Sequence, residues 1–421
     1  MLEGQIIAVA VFILVMVAIV SEKVHRTVAA MAGAVALVIM GILNIEDCIE
    51  CIDFNTLGVL AGMMLFVGVV KESGLFEFLA IKSAKLTKGN PWRLMVAFVI
   101  ITAVLSAFLD NVTTVLLIGP MTITICNILR VNPIPYLITE IMASNIGGTS
   151  TLIGDPPNIM IGSAAGLSFG DFIVNLSLPV IAILFATIIC FYFLYGKKLV
   201  VDTAAIQEVM ELDEKKAIKD LGLFKKSIIL IVLVVIGFIF HGSLGVESSV
   251  VALTAAAIML LIGKQNVEEV VSGIEWTTIM FFVGLFVVVG GMEKVGIITA
   301  LANFLIDATA GQMILTMLIL LWVSAIVSSI LDNIPFVATV IPIILTMGAS
   351  GIDVTPLWWA VSLGACLGGN GTLIGASANV VLSGISNKQG YPITFISYLK
   401  VGYPLMLLSI AISTIYLLIR F

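Results

Sequence analysis

The chain carries two copies of one unusual pattern, in which apolar stretches long enough to cross a membrane are interrupted by polar residues. Residues 106–121 read SAFLDNVTTVLLIGPM and residues 328–343 read SSILDNIPFVATVIPI, an offset of 222. Residues 147–158 read GGTSTLIGDPPN and residues 368–379 read GGNGTLIGASAN, an offset of 221 with seven of twelve positions identical. Duplicated apolar segments broken by Gly and Pro at matching places indicate a transporter whose binding site lies at the breaks.

The composition places the chain in a lipid bilayer. It is 60% hydrophobic and 11% charged, with a mean hydropathy of +1.21, whereas about a quarter of the residues in a soluble domain are charged. Apolar stretches of the about 17–25 residues that cross a bilayer recur along the whole chain. The two histidines and five cysteines form no specific metal motif, so no resident metal or cofactor is expected. No nucleic-acid partner is expected either.

The sequence divides into two repeats joined by a charged linker. We assign residues 1–196 to the first repeat, 197–227 to the linker and 228–421 to the second repeat. Each half holds seven apolar segments, or five plus a re-entrant hairpin if residues 92–129 and 312–349 dip in and return. Both counts are odd, so the second repeat must be inverted relative to the first.

Basic residues give the repeats an orientation. We call side B the side that holds residues 21–26, 71–93, 130, 197–226, 264, 388 and 400, and side A the opposite one. Eighteen of the 20 Lys and Arg residues then lie on side B. By the positive-inside rule side B is cytoplasmic and both termini are external. The same assignment leaves no Lys or Arg at membrane depth.

The polar residues at the interruptions are the candidate substrate- and ion-binding groups. An Asp near the bilayer centre costs roughly 2.5–3.5 kcal/mol, yet three Asp residues lie within apolar arms. A Gly-Gly-x-x-Thr break exposes carbonyl and hydroxyl oxygens for a cation, and half-helix N-termini favour anions. The predicted set is Asp110, Asn111, Thr113, Thr114, Asn145, Gly147, Gly148, Thr149, Ser150, Thr151, Asp155, Asn158, Asp332, Asn333, Gly368, Gly369, Asn370, Thr372, Ser377 and Asn379. Within it, Asn111, Gly148 and Thr151, and likewise Asn333, Gly369 and Thr372, are candidate sodium ligands.

The repeats differ in their acidic residues. Asp155 corresponds to Ala376, so the first repeat has two candidate carboxylates and the second keeps only Asp332. We expect Asp110 and Asp155 to approach each other where the first hairpin tip meets the first broken helix, which would make H⁺ and Na⁺ compete there. The alternative is that these residues only cap broken helices. Glu140 is a further candidate for a buried acid.

The motifs SAFLDNVTTVLLIGP, ASNIGGTSTLIGDPPNIMIGS and GACLGGNGTLIGASANVV resemble the ion transporter superfamily. The resemblance covers nearly the whole chain. It is closest to the melanosomal P protein, arsenite permease and NhaD-type sodium/proton antiporter group, and more distant to the dicarboxylate and citrate carriers. It implies ten transmembrane helices, two re-entrant hairpins, a homodimer, and an elevator-like transport domain that carries the hairpins and broken helices.

The hairpin tips depart from the carboxylate carriers, whose tips resemble Ser-Asn-Thr. Here the tips read Asp110-Asn111-Val112 and Asp332-Asn333-Ile334, which favours a small inorganic ion, of arsenite, Na⁺/H⁺ or anion type, with H⁺ or Na⁺ coupling. The expected function is secondary active transport. A sodium-coupled dicarboxylate or citrate carrier and a channel-like anion conductor are the alternatives. Enzymatic activity is not expected, because no Gly-x-Gly-Asp motif precedes Asp110 or Asp332.

Overall fold

A computed structural model describes residues 2–21, 23–196 and 203–421. These residues form α-helices with short 3₁₀ and π turns and contain no strand, which confirms the predicted all-α membrane fold. The helices are α1 Leu2–Ser21, α2 Arg26–Ile39, α3 Ile45–Cys51, α4 Phe54–Lys71, α5 Leu75–Leu86, α6 Pro91–Phe108, α7 Asn111–Ile128, α8 Ile134–Gly148, α9 Pro156–Ala165, α10 Phe169–Phe191, α11 Thr203–Glu211, α12 Leu221–Phe240, α13 Ser248–Gly263, α14 Val267–Ser272, α15 Trp276–Lys294, α16 Ile297–Ala308, α17 Met313–Ser328, α18 Asn333–Ala349, α19 Thr355–Gly368, α20 Ser377–Lys388 and α21 Phe395–Arg420.

The helices repeat in order. Helices α1–α10 correspond one by one to α12–α21, and α11 lies in the linker between them. Among the described residues eight helices are long and apolar enough to cross a membrane. Helices α8 and α9, and likewise α19 and α20, are the halves of a broken segment, while α6–α7 and α17–α18 are the hairpins.

Four helices form a scaffold in which small residues allow close contact. A Cβ added at Gly62 of α4 would lie 2.7 Å from the backbone of Ala252 in α13, and a Cβ at Gly284 of α15 would lie 2.7 Å from Ala30 in α2. Small residues are typical of helix contacts in membranes, where close backbone approach replaces the hydrophobic driving force. The two contacts are related by the repeat.

The same contacts establish that the repeats are inverted. Gly284 packs against Ala30 and Gly291 against Leu37, so α2 and α15 run parallel. Gly62 packs against Ala252, and Gly263 against Val69, so α4 and α13 also run parallel. Since α2 and α4 are successive crossings, α2 and its counterpart α13 run in opposite directions.

The remaining helices form a core in which each hairpin contacts both repeats. The first arms, α6 and α17, pack against α8 and α19 of their own repeats, whereas the second arms, α7 and α18, pack against α20 and α9 of the other repeat. This crossed packing brings both hairpin tips and both helix breaks to one place.

The linker differs from the prediction at its end. Residues 221–227, assigned to the linker, begin α12, because Asp220 accepts hydrogen bonds from the first amides and caps the helix there. Helix α11 docks on the base of the first hairpin, where Ala205 and Val209 are fully buried. Residues 197–202 of the predicted linker lie outside the described residues.

Candidate functional site

The two hairpin tips are polar turns held by their own aspartates. Asp110 directly precedes α7 and accepts hydrogen bonds from the Thr113 amide (2.8 Å) and hydroxyl. Asp332 accepts a bond of 3.3 Å from the Ile334 amide. Both residues therefore cap the second arm of their hairpin, and the next residue, Asn111 or Asn333, is presented inward from the first helical turn.

The two helix breaks are held by buried asparagines. The Asn158 side chain donates to the carbonyl oxygens of Thr149 (3.1 Å) and Thr151 (2.9 Å), and Asn379 donates to those of Gly369 (2.7 Å) and Thr372 (2.9 Å). Carbonyls freed by the breaks are thus partly satisfied by amides of the same repeat, because an unpaired buried carbonyl costs free energy. The Thr372 carbonyl also accepts from the Gly375 amide (3.3 Å), so both of its lone pairs are used within the protein.

A chain of amides connects the first hairpin tip to the second break. The Asn111 side chain donates to Asn145 (3.2 Å), which donates in turn to Asn370 (3.0 Å) and Asn379 (2.9 Å). All four side chains are buried. The position of Asn145 corresponds to Cys366 in the second repeat, whose sulfur lies 3.5 Å from Asn158.

A small cavity lies where the tips and breaks meet. Its volume is about 20 Å³, which is room for about one water molecule. Four helix N-termini, those of α7, α9, α18 and α20, converge on this place and add positive partial charge. The lining residues are Arg26, Leu60, Met64, Asp110, Asn111, Val112, Asp155, Pro156, Glu275, Thr278, Asn333, Ile334 and Ser377.

Asp155 meets the second hairpin. Its carboxylate accepts from the Asn333 side chain (3.2 and 3.4 Å). Asp110 and Asp155 line the same cavity, and Asn111 of the first tip contacts Asn145 of the first broken helix. The hydrogen bond to Asp155 nevertheless comes from the second tip, because α18 packs against α9 of the other repeat. Asp155 makes no capping bond, since Pro156 and Pro157 have no amide hydrogen.

The sequence predicts no Lys or Arg at membrane depth, yet a basic residue lines this cavity. Arg26 is the first residue of α2, and its Nη1 donates to Asp332 (2.8 Å) and to the Ser377 hydroxyl (2.6 Å). Its Nη2 lies 3.4 Å from the Thr278 hydroxyl, and the guanidinium carbon lies 5.0 Å from the centre of the Phe281 ring. The positive-inside count treated Arg26 as a loop charge, whereas its long side chain extends along the scaffold into the cavity.

Other predicted residues support the site without lining the cavity. The Thr151 hydroxyl donates to the Ala107 carbonyl, and the Thr372 hydroxyl donates to Ser329 (2.5 Å), so both tie a break to the first arm of its own hairpin. Thr149 and Ser150 bond to the backbone of α8. Thr114 is buried, and its hydroxyl has no partner among the described residues. Glu140 is buried beside Thr122 and away from the cavity.

The four predicted glycines permit close packing of backbone against backbone. A Cβ at Gly147 would lie 2.1 Å from the Ala103 carbonyl oxygen, and one at Gly368 would lie 2.6 Å from that of Ala325. Gly148 and Gly369 similarly contact the far side of their own break. The residues of the two predicted sodium sites lie near the helix breaks. The side-chain amides of the tip residues Asn111 and Asn333, however, bond to Asn145 and Asp155 and not to the threonines of those sites.

Sequence reasoning missed three polar side chains that line the cavity, namely Arg26, Glu275 and Thr278. Thr278 donates to Glu275 (3.0 Å), as its counterpart Thr56 does to Asp53. At the repeat offset of 222, Asp53-Phe54 aligns with Glu275-Trp276. This alignment is a usable signal, because an acidic residue present in both repeats at a helix start is unusual in so apolar a chain.

Comparison with known proteins agrees with this architecture. The family model described as citrate transporter (CitMHS) matches residues 16–364. The chain is 42% identical to an "uncharacterized transporter" of Mycobacterium bovis over 99% of both chains, and 34% identical to the P protein of Mus musculus over 99% of this chain and 60% of that protein. The crystal structure of the YdaH transporter of Alcanivorax borkumensis shares the fold, with a TM-score of 0.51 and 17% identity over 86% of this chain and 84% of that one.

These matches confirm the resemblance found in the hairpin and break motifs. The chain is a multi-pass membrane transporter and belongs to the citrate transporter family.

Proposed function

We propose that this protein is an elevator-type secondary active transporter that moves a small inorganic ion with H⁺ or Na⁺ coupling. The cavity of about 20 Å³ lined by Asp110, Asp155 and Glu275 carries the proposal. This space holds one water molecule or bare ion. Three buried carboxylates beside one guanidinium, that of Arg26, are costly to keep charged unless a further cation or a proton neutralises them. Ion occupancy and the charge of the core are therefore coupled. A cavity of this kind suits the transport of an ion and not a catalysed reaction.

The contacts between scaffold and core support an elevator movement because they differ between the repeats. On side B, Arg26 contacts Ser377, the first residue of α20. On side A, Asp53 and Asn55 contact Ser163, the eighth residue of α9, at 2.9 and 3.2 Å. Ser163 corresponds to Gly384 in α20, so the two contacts differ by seven helix positions, or about 10 Å at 1.5 Å per residue.

Exchanging the two contact registers would generate the opposite end state. The core would then contact side A through Pro156 and side B through Gly384. In the present register the breaks lie at the side B end of the scaffold, beside cavities of about 290 and 230 Å³ that adjoin residues 19–26 and 265–275. The proposal therefore assigns this structure to the end state in which the site faces side B.

The orientation and assembly are part of the proposal. The basic bias supports a cytoplasmic side B with a cytoplasmic linker and external termini. The homodimer implied by the superfamily resemblance is retained as the assembly, with the lipid bilayer around it. No resident cofactor is invoked, since Na⁺ or H⁺ serves as the coupling ion.

A sodium-coupled carboxylate or citrate carrier is the second candidate. Two observations favour it: the matching family model is that of a citrate transporter, and Arg26 provides the cationic group that a carboxylate would need. The small cavity and the aliphatic residues Val112 and Ile334 at the tips favour the inorganic ion.

Uptake in proteoliposomes separates the candidates. Purified protein is tested with arsenite, sodium, chloride, succinate and citrate against imposed H⁺ and Na⁺ gradients. We expect saturable, gradient-driven flux of an inorganic ion. Gradient-driven uptake of citrate or succinate would favour the second candidate, and flux that neither saturates nor follows a coupling gradient would favour a channel-like conductor.

A further inference from the structure

Arg26 is the group through which the scaffold touches the charged part of the core. It belongs to α2, while its partners Asp332 and Ser377 belong to the second hairpin and the second broken helix. The side chains of Arg26 and Asp332 are 27% and 12% exposed. The pair is therefore largely shielded from water, and its attraction is screened less than that of a surface pair.

The described part of the first repeat contains no equivalent pair. Ser248 stands at the position of Arg26 and bonds to Asn55, while Pro156 stands at the position of Ser377. Asp110, the counterpart of Asp332, is held by Thr113 of its own hairpin. Among the residues that the structure describes, the cationic contact is thus a feature of one end of the scaffold.

The ion pair depends on the position of the core. A shift of seven positions along α20 would place the turn around Gly384 beside the start of α2, and would carry Asp332 about 10 Å away. Asp332 would then travel along the scaffold without its partner. An uncompensated carboxylate in the membrane is costly, so another positive charge must replace the guanidinium before the core leaves.

We propose that Arg26 is a tethered cation that neutralises Asp332 in the side B state and must be displaced by the coupling cation, Na⁺ or H⁺, before the core can move. This inference rests on the elevator function proposed above. The charged and titratable groups that face the pair are Asp110, Asp155 and Glu275 in the central cavity and His25 in the adjoining cavity. Carboxylates predominate, so a cation arriving at the cavity finds acceptors as the guanidinium withdraws.

The consequence is a rule for coupling. The empty core stays paired with Arg26 at side B, and the cation-loaded core is released. Arg26 therefore lowers the apparent affinity for the coupling cation by competing with it for Asp332, and at the same time it prevents the core from moving while empty.

The test measures the position of the core. Asn55→Cys and Ser163→Cys are introduced together with Cys48, Cys51 and Cys190 replaced by Ser. The side chains of Asn55 and Ser163 touch in this state, so a short thiol cross-linker captures it. Cross-linking yield in proteoliposomes is titrated with sodium chloride balanced by choline chloride, and separately with pH.

We expect the yield to fall as the cation is added. In Arg26→Gln the midpoint should move to about tenfold lower Na⁺, or up by about one pH unit, because the competing charge is gone; a tenfold change corresponds to about 1.4 kcal/mol. Arg26→Lys keeps the charge and should stay near the wild-type midpoint. In protein that already carries Asp332→Asn, adding Arg26→Gln should no longer move the midpoint. The matched control is Arg93→Gln, since Arg93 is exposed and forms no ion pair among the described residues.

Unchanged midpoints in Arg26→Gln would refute the tethered cation, as would an equal shift in Arg93→Gln, which would indicate a general charge effect. If Arg26→Gln fails to fold, Asp332→Asn replaces it in the test, because it removes the group for which Arg26 and the cation compete. A cross-linking midpoint in Asp332→Asn equal to that of the wild type would then also refute the tethered cation. Failure of the elevator itself has a different signature: transport that continues when Asn55→Cys and Ser163→Cys are fully cross-linked.

Discussion

At the scale of single residues, the site is defined by which side chains lack a partner within their own repeat. Asp110 is satisfied by Thr113, whereas Asp155 depends on Asn333 from the other repeat. A hydrogen bond to a buried charged group is worth about 1.5–3 kcal/mol. Ion binding therefore acts mainly on the hydrogen bonds that join the two repeats, such as that between Asn333 and Asp155.

Asp155→Asn should leave the protein folded and remove the dependence of transport on the coupling-ion gradient. The reason is that Asp155 makes no capping bond in the structure, so its charge is available to the ion. Flux with and without each gradient in proteoliposomes is the measurement. Asp171→Asn, at an exposed helix start, is the control, and Ala376→Asp should not create a second coupled ion. Wild-type coupling in Asp155→Asn would count against this role.

Asn333→Ala and Asn111→Ala should each abolish transport with little change in expression or dimerisation. Removing the Asn333 amide takes away the hydrogen bond to the buried Asp155 carboxyl, a loss of about 1.5–3 kcal/mol or roughly a ten- to hundredfold change in affinity. Removing the Asn111 amide interrupts the chain to Asn145. Initial uptake rates are compared with those of Asn303→Ala, whose side chain is exposed. Normal kinetics in either tip variant would remove that tip from the site.

At the scale of elements, the core depends on backbone contacts that admit only glycine. Gly147 and Gly368 lie against the carbonyls of the hairpin arms α6 and α17 at corresponding places. An added methyl group cannot be accommodated by rotating a side chain, because the neighbour is backbone. The presence of these two glycines in both repeats is thus a packing requirement of the hairpins and not evidence that the glycines bind ions.

Gly147→Ala and Gly368→Ala should each destabilise the protein by about 1–3 kcal/mol, the usual cost of overpacking. Thermal unfolding in detergent should show a clear fall in Tm for both. Gly384→Ala is the matched control, because nothing lies within 4 Å of its added Cβ and alanine favours the helix by about 1 kcal/mol. Equal Tm values for Gly147→Ala and Gly384→Ala would contradict the packing argument.

At the scale of the whole molecule, the scaffold contacts the two broken helices at different positions, at Ser377 in α20 and at Ser163 in α9. We interpret this difference as one of two positions of the core along the scaffold. Gly384→Leu should fold normally, since the site is open in this state, yet it should stop transport because leucine would meet the scaffold in the opposite state. Uptake is measured beside Gly384→Ala, which should retain transport. Full activity of Gly384→Leu would exclude the exchanged register.

Topology is tested at the same scale. Lys216→Cys in the linker should react with membrane-impermeant thiol reagents only from the cytoplasm, and Ser243→Cys between α12 and α13 only from outside. Both positions are exposed, and the expectation follows from the basic bias. Labelling of Lys216→Cys in intact cells would reverse the orientation but leave the inverted repeats unaffected.

The sequence by itself determined the helical membrane fold, the two repeats, their inversion and the polar tips and breaks. These properties follow from hydropathy, segment parity and the cost of polar groups in lipid, which act locally along the chain. Tertiary structure alone decided which tip meets which break. Asn333 reaches Asp155 because the second hairpin arms cross between repeats, and Arg26 reaches Asp332 because a long side chain at a helix start extends to a neighbouring element. Neither contact has a local signal, since each joins residues far apart in sequence whose approach depends on how the packed core stands against the scaffold.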